Sequence, residues 1–271
     1  MAGDHYLGYR GADANTPYGK YFQPAMAPLP RHVAEALQHG PQAGPALLAF
    51  EDAATVADDG YQQTENGYGV LHDRSIAVSV RADMPGVTPE MWSWWFGWHG
   101  SDSRRYKLWH PRAHVSAEWK DGDVPIRAGR RGAQRYVGRS SLISEYIGST
   151  LMRAAIQFVA PETIGLDSDG DALPVCARLG SSDVPVDVGW FVHHIRPTTN
   201  GSEMRSRFWL GGPHIAVRSG PGLASRMVRP VAARVVDISA AAARDLMVHC
   251  AQEMNHLAGF LPDIYAEFGD A

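Results

Sequence analysis

Two side chains near the C-terminus, His249 and Glu253, have the residue types and the spacing of half a metal site. They lie within residues 239–259, whose pattern predicts one continuous helix, and positions four apart in a helix lie on the same face. That face is otherwise apolar, and a carboxylate that faces a core has to be paired, hydrogen-bonded, protonated or bound to a cation. The pattern therefore predicts either a metal site or a His–Glu pair at a partly hydrated helix edge. His256, one turn further on, is a third candidate ligand.

Other candidate ligands lie nearer the N-terminus. His110 and His114 are four residues apart, and Glu145 lies in a strand-like run with apolar neighbours. If the residues after Pro111 are extended, His114 and Ser116 share one face of a strand, because successive side chains alternate between faces. Nitrogen and oxygen ligands of this kind suit zinc, with iron and manganese less favoured and copper left open.

The elements that must position these side chains can be read from periodicity and capping residues. Thr88 and Pro89 are typical of the start of a helix, and this helix carries four tryptophans within residues 92–98. The cluster indicates either an aromatic face packed on a sheet or the wall of a pocket for a planar ring. Strand-like runs separated by turn residues lie at 70–80, 136–147, 151–159, 173–178, 188–196, 205–210 and 214–218.

Consecutive strands joined by short turns predict an antiparallel sheet. A sheet that curls around one amphipathic helix leaves a cavity between the two. The sequence therefore predicts an α+β fold in which a curved antiparallel sheet grips the long C-terminal helix, with His249 and Glu253 facing the cavity. Residues 1–65, rich in Pro, Gly, Ala and Tyr, are predicted to form an N-terminal arm or small subdomain ahead of a catalytic domain at residues 66–271.

Composition excludes several classes of protein. The chain has 271 residues, 45% of them hydrophobic, and a net charge of −4 without a run of lysines or arginines, so nucleic acid is not an expected partner. No apolar stretch is long enough to span a membrane, and residues 1–10 lack the basic and then apolar pattern of a signal peptide, which predicts a soluble cytoplasmic protein. The two cysteines, Cys176 and Cys250, are expected to be buried thiols. The Pro- and Tyr-rich N-terminal segment suggests association, so a homodimer is one expectation.

Several of these features together resemble one family of enzymes. Residues 94–99, residues 105–114, Glu145 and the His249/Glu253 pair are similar to 2,4-diacetylphloroglucinol hydrolase and phloretin hydrolase. These are zinc-dependent enzymes that hydrolyse the carbon–carbon bond between an acyl group and a polyhydroxylated ring, so the resemblance implies a small aromatic ketone as substrate. It covers about residues 70–260 and implies a START- or pollen-allergen-like helix-grip fold. The zinc ligands that it implies are His114, Glu145, His249 and Glu253.

The resemblance also implies roles for other residues. Tyr106 matches a tyrosine just ahead of the first zinc histidine, and His193 matches an active-site histidine, although neighbouring His194 could be the one that faces inward. Tyr106 and His193 would hold the ring hydroxyls and supply the proton that the ring carbon needs. Since four protein ligands normally close a zinc site, either the metal becomes five-coordinate or one glutamate leaves it and acts as a base, and Glu145 is the choice for that second role.

Two positions depart from the family pattern. Ala117 replaces an asparagine and Phe208 replaces a tyrosine that contact substrate in the diacetylphloroglucinol enzyme, so a roomier and more apolar pocket is expected. A metal-free helix-grip carrier for an aromatic polyketide is the alternative, because the same fold hosts many binding proteins. The residues predicted to line the substrate pocket are Trp95, Trp98, Ala117 and Phe208.

Overall fold

A curved antiparallel sheet wraps around one long helix near the C-terminus. The computed structural model describes residues 7–122, 132–168, 170–218 and 239–269. Within these ranges the strands pair in the order β1-β2-β8-β7-β6-β5-β4-β3, with β9 paired to β7. The strands are β1 (Gly67–Val70), β2 (Ser75–Pro85), β3 (His114–Trp119), β4 (Ser140–Ile147), β5 (Thr150–Val159), β6 (Leu173–Ser181), β7 (Val186–Thr198), β8 (Gly201–Gly211) and β9 (Ala216–Val217).

The helices lie at the two ends of the chain and between β2 and β3. The long helix packs mainly on β2 and β1, and it also contacts the short helix that precedes β3. This arrangement confirms the predicted α+β fold, a curved antiparallel sheet that grips a C-terminal helix. None of the helices in the described ranges combines the length and apolar character needed to cross a bilayer. The α-helices are α1 (Arg31–Gln38), α2 (Pro89–Trp98), α3 (Ser103–Trp109), α4 (Ala240–Ala258) and α5 (Leu261–Phe268).

The two helices predicted from capping residues begin where the sequence indicates. Ser239 caps α4 by accepting a hydrogen bond from the backbone N–H of Ala242 at 3.1 Å. Thr88 caps α2 in the same way, accepting from the N–H of Met91 at 3.3 Å, and Pro89 occupies the first turn. Such caps satisfy backbone donors that have no partner within the helix.

Three predicted elements differ from the structure. Residues 70–80 form parts of two strands, because Arg74 adopts a left-handed backbone conformation (φ 68°) and Asp73 accepts a hydrogen bond from the N–H of Ser75. Within residues 136–147 the strand begins only at Ser140, after a turn at Gly138 (φ 83°). Within residues 214–218 only Ala216–Val217 is strand, since a 3₁₀ turn ends at His214.

Residues 7–65 contribute to both faces of the sheet. Tyr9, Tyr18 and Val33 pack in the main core between the sheet and the helices. Leu47 and Val56 pack in a second cluster on the opposite face of the sheet, with side chains of β6, β7 and β8. The division of the chain at residue 65 stays a prediction.

The second face of the sheet also carries a buried ion-pair cluster. Glu65 binds Arg205 at 2.7 Å and Arg207 at 2.6 Å, and both arginine side chains are 1% exposed. Arg205 additionally donates to the backbone carbonyl of Val56. These contacts fix the segment around residues 56–65 against β8.

Candidate metal and active site

Two strands and one helix bring the four predicted ligands together. His114 on β3 and Glu145 on β4 are direct partners in the sheet register, and His249 and Glu253 lie one turn apart on α4. His114, His249 and Glu253 are buried, and Glu145 is partly buried. The Nε2 atom of His114 lies 3.4 Å from Oε2 of Glu145 and 3.4 Å from Oε2 of Glu253, and the Nε2 atom of His249 lies 3.5 Å and 3.7 Å from the same two oxygens.

These distances fit a small cation. Ligands about 2.0–2.1 Å from a tetrahedral zinc ion are about 3.4 Å from one another, close to all four histidine–carboxylate separations. The ligand atoms of His114, Glu145 and His249 all lie within 4.8 Å of one another. Glu253 is outside that group of three although it is near both histidines. The site therefore offers three convergent ligands and a fourth, less closely placed carboxylate.

A β-bulge in β3 decides which side chains accompany His114. The register between β3 and β4 shifts after His114, so that Ser116 pairs with Ser144 and Ala117 with Ile143. The extra residue, Val115, reverses the alternation beyond it. Ala117 and not Ser116 thus lies on the buried face with His114, and the expectation that His114 and Ser116 share a face is wrong.

His114 is held in the form that a metal needs. Its Nδ1 atom lies 2.9 Å from the backbone carbonyl oxygen of Tyr106, an acceptor, so Nδ1 carries the proton. Its Nε2 atom is buried and has no hydrogen-bond partner in the described part of the chain. Burial holds the pKa of His114 well below its ordinary value, so the ring is neutral. The Nε2 lone pair is left free to bind a cation.

Tyr106 contacts two of the ligands. Its ring stacks on that of His114, with centroids 3.7 Å apart and planes within 3°. Its hydroxyl donates a hydrogen bond to Oε2 of Glu145. Burial and the Glu145 charge raise the pKa of Tyr106 well above its ordinary value, so the phenol stays protonated and remains a donor.

The two carboxyl groups differ in their electrostatics. Burial alone would raise the pKa of Glu145, but the charge of His249 and hydrogen bonds from His249 and Tyr106 lower it. Burial raises the pKa of Glu253 to about 8, opposed by His249 and reinforced by Glu145. Glu145 is therefore the anchored carboxylate, while Glu253 holds a proton near neutral pH when no cation is bound.

His193, rather than His194, faces the helices. Along β7, Phe191 and Ile195 belong to the main core with α2 and α4, whereas Val192 belongs to the cluster on the other face. Since side chains alternate along a strand, His193 lies on the inner face. Its ring stacks on Phe96 at 5.9 Å.

His194 lies on the outer face, where its pKa is lowered to about 4 by burial and then by nearby arginines such as Arg205. Phe208 lies on the inner face beside His193, with their rings 5.7 Å apart.

The predicted tryptophans have different surroundings. Trp95 is fully buried and packs on Trp109, at 6.1 Å, which in turn contacts the ring of His114 at 5.6 Å. Trp98 instead stacks on Trp94 at 4.8 Å and lies under the guanidinium of Arg105 at 4.2 Å. Trp98 also contacts Trp95, Tyr18 and Phe268. Among the described residues no ring contact joins it directly to His114.

Sequence reasoning missed helix α3 and two side chains near the site. Trp109, at the end of α3, lies between Trp95 and His114. Ser206 on β8 lies 2.7 Å from Nδ1 of His193. The sequence does carry a signal for Ser206. It lies between Arg205 and Arg207, and a small polar residue between two long charged ones in a strand faces the opposite side of the sheet from them.

A cavity of about 270 Å³ opens beside the ligand cluster. His110 stacks on His249 there, with centroids 4.8 Å apart and planes within 11°. Gln252, Arg112 and Tyr146 also line the cavity. His249 thus lines this cavity and also belongs to the group of His114, Glu145 and His249.

Comparison with known proteins gives a consistent family. The family described as DAPG hydrolase PhiG domain matches residues 47–266. The chain is 32% identical over 275 residues to 2,4-diacetylphloroglucinol hydrolase of Pseudomonas protegens, covering 97% of this chain and 88% of the relative. It is 29% identical over 279 residues to phloretin hydrolase of Eubacterium ramulus, covering 97% of this chain and 94% of the relative.

The solved structures that match this chain are less similar to it than these relatives are. Norcoclaurine synthase from Thalictrum flavum is 14% identical, with a TM-score of 0.35 over 77% of this chain and 98% of that one. Human STARD10 is 10% identical, with a TM-score of 0.34 over 80% of this chain and 86% of that one.

Proposed function

The chain belongs to the DAPG hydrolase family, and we propose that it is a zinc-dependent hydrolase that removes an acyl group from a phloroglucinol-type ring. The relatives named for diacetylphloroglucinol and phloretin hydrolysis support this reaction class. The observation that carries the metal part of the proposal is the convergence of His114, Glu145 and His249 at a buried point, with Glu253 beside both histidines.

The reaction balances with water alone. An acylphloroglucinol can tautomerise so that its ring behaves as a vinylogous β-diketone. Water adds to the acyl carbon, and the bond between the acyl carbon and the ring carbon breaks with its electron pair left on the ring. The ring carbon takes up the proton that the water has lost, which gives a carboxylic acid and the deacylated phenol.

The nitrogen and oxygen donors of this site fit zinc. We assign His114, Glu145 and His249 as ligands, with Glu253 as a fourth ligand that can be exchanged. A bound zinc ion would supply Lewis-acid chemistry, activating water as a nucleophile near neutral pH and polarising the acyl carbonyl. Catalytic zinc sites typically have three protein ligands and one open position.

Glu253 is a better candidate than Glu145 for the carboxylate that acts as a base. Glu145 accepts the Tyr106 hydrogen bond and belongs to the closest group of three ligands. Glu253 lies outside that group although it is near both histidines, so it is the carboxylate that can leave the metal and take up a proton beside it. Glu253 would therefore accept the proton of the attacking water.

The remaining residues would hold the ring. Tyr106 and His193 would contact ring oxygens, and Ala117 and Phe208 would form the apolar wall that their inward positions allow. The active site would lie within a soluble cytoplasmic protein. A homodimer stays a prediction.

A metal-free carrier of aromatic polyketides is the competing function. Such a carrier gains nothing from two carboxylates and two histidines in a poorly hydrated site, where an unpaired charge is costly. Elemental analysis of the purified, untagged protein separates the two functions. We expect about one zinc per chain, together with hydrolysis of diacetylphloroglucinol or phloretin that chelation abolishes.

The matched variants are His249→Ala and His72→Ala, since His72 is an exposed histidine. His249→Ala should lose zinc, activity and thermal stability, because two carboxylates then repel each other without a cation. His72→Ala should keep all three. Full zinc and activity in His249→Ala would overturn the ligand assignment.

A further inference from the structure

The side chain of Ser206 makes a buried hydrogen bond with His193. The Oγ atom of Ser206 lies 2.7 Å from Nδ1 of His193, and the two residues are 1% and 4% exposed. They are direct partners in the register between β7 and β8. None of the other hydrogen bonds among the described residues involves the His193 ring.

The surroundings of His193 keep its ring neutral. Phe96, Phe191 and Phe208 contact the ring, with centroids 5.9, 4.6 and 5.7 Å away. Burial lowers the pKa of His193 to about 3. A neutral imidazole carries its proton on one nitrogen only, and the hydrogen bond at one nitrogen decides which form is present.

The chemistry of the two groups indicates the direction of that hydrogen bond. A buried hydroxyl needs an acceptor for its proton, and the unprotonated nitrogen of a neutral imidazole is a strong one. Because Oγ of Ser206 lies 2.7 Å from Nδ1 of His193, the hydroxyl proton is best placed toward Nδ1.

We propose that Ser206 is a positioning residue that fixes His193 in the tautomer with its proton on Nε2, so that His193 presents a hydrogen-bond donor to the substrate. This role in turnover rests on the proposed function, in which negative charge develops on the ring oxygens as the carbon–carbon bond breaks. A neutral imidazole N–H is a suitable donor to such an oxygen. Ser206 acts only through His193.

The opposite face of β8 fixes the register of this pair. Arg205 and Arg207 flank Ser206 and bind Glu65 on the outer face. A slip of one residue would place an arginine opposite His193, because it reverses every side chain in a strand. The Glu65 ion pairs therefore oppose any shift that would separate Ser206 from His193.

The tautomer can be measured without an assay of activity. Two-bond ¹H–¹⁵N correlation spectra of protein labelled with ¹⁵N-histidine distinguish the two neutral forms, and His193→Gln identifies the His193 signals. We expect Nε2 to be protonated in the wild type and in Ser206→Thr. In Ser206→Ala we expect a mixture of tautomers or the Nδ1-protonated form.

Ser202→Ala is the matched control. Ser202 lies on the same strand and is 2% exposed, and its hydroxyl has no hydrogen-bond partner within the described ranges. Its removal should leave the His193 spectrum unchanged. Nδ1 protonation in the wild type, or a wild-type spectrum in Ser206→Ala, would overturn the proposal.

Kinetics then test the consequence for turnover. With an acylphloroglucinol substrate, Ser206→Ala should lower kcat by about ten-fold with little change in KM, and Ser206→Thr should restore it. If the wild type hydrolyses none of these substrates, the proposed function fails while the spectra still decide the tautomer. An unchanged kcat in a Ser206→Ala protein with the altered tautomer would refute the role in turnover.

Discussion

At the scale of single residues, Tyr106 has three separate contacts with the ligand cluster. Its backbone carbonyl fixes the His114 tautomer, its ring stacks on His114, and its hydroxyl binds Glu145. Groups that orient metal ligands in this way typically change metal affinity by about 10–100-fold when they are removed. The hydroxyl of Tyr106 is therefore expected to affect both the substrate ring and the metal.

Tyr106→Phe removes the hydroxyl and keeps the other two contacts. The fold should survive, kcat should fall about ten-fold or more, and zinc should bind about ten-fold more weakly. Steady-state kinetics and zinc competition with a chromophoric chelator measure the two effects. Wild-type turnover and wild-type zinc affinity together would show that Tyr106 only fills space.

At the scale of elements, some parts of the site could be predicted and others could not. Helix α4 has a capping serine and a helical pattern of apolar residues that runs without interruption, so the positions of His249 and Glu253 on one face could be predicted from the sequence. The bulge after His114 could not, because a single extra residue leaves the composition of a strand unchanged. Helix α3 could not be predicted either, because it is short and is stabilised mainly by the tertiary packing of its buried aromatic side chains.

The ion pairs between Glu65 and β8 should make stability depend on pH. Burial alone would raise the pKa of Glu65, but hydrogen bonds and charges from Arg205 and Arg207 lower it to about 2. The stabilisation is thus fully present above the unfolded pKa of about 4.5 and is lost as pH falls toward 2.

Glu65→Gln leaves two buried arginines without their carboxylate and should cost about 3–5 kcal/mol of unfolding free energy at pH 7. The difference from wild type should shrink as pH falls below 4.5. Urea unfolding across this range measures it, with Glu35→Gln as the control because the Glu35 ion pair is exposed. A difference that stays constant down to pH 3 would contradict this account.

At the scale of the whole molecule, the proposed ring pocket is enclosed by strands far apart in the sheet. Ala117 lies on β3, at one edge, and Phe208 lies on β8, near the other. Ala117 is small and Phe208 is apolar. A hydrophobic pocket gains about 1–3 kcal/mol from each well-placed methylene of a substrate.

Acyl groups that are longer or carry an aryl ring, as in phloretin, should therefore be accepted at least as well as acetyl. The measurement is the ratio of kcat/KM for phloretin to that for diacetylphloroglucinol, in the wild type and in Ala117→Asn with Phe208→Tyr. The ratio should be at or above one in the wild type and should fall in the double variant. A low ratio that the double variant leaves unchanged would exclude these positions as determinants of acyl specificity.

The division of the ligands between β3–β4 and α4 has a consequence for how the protein folds. The strands supply His114 and Glu145, but His249 and Glu253 reach them only after the last long helix has docked. Contacts between distant parts of a chain tend to form late, since loop closure must come first. A cation bound here would therefore slow unfolding more than it speeds folding, because it stabilises contacts that the transition state has not yet made. Metal binding would thus raise the kinetic stability of the folded protein.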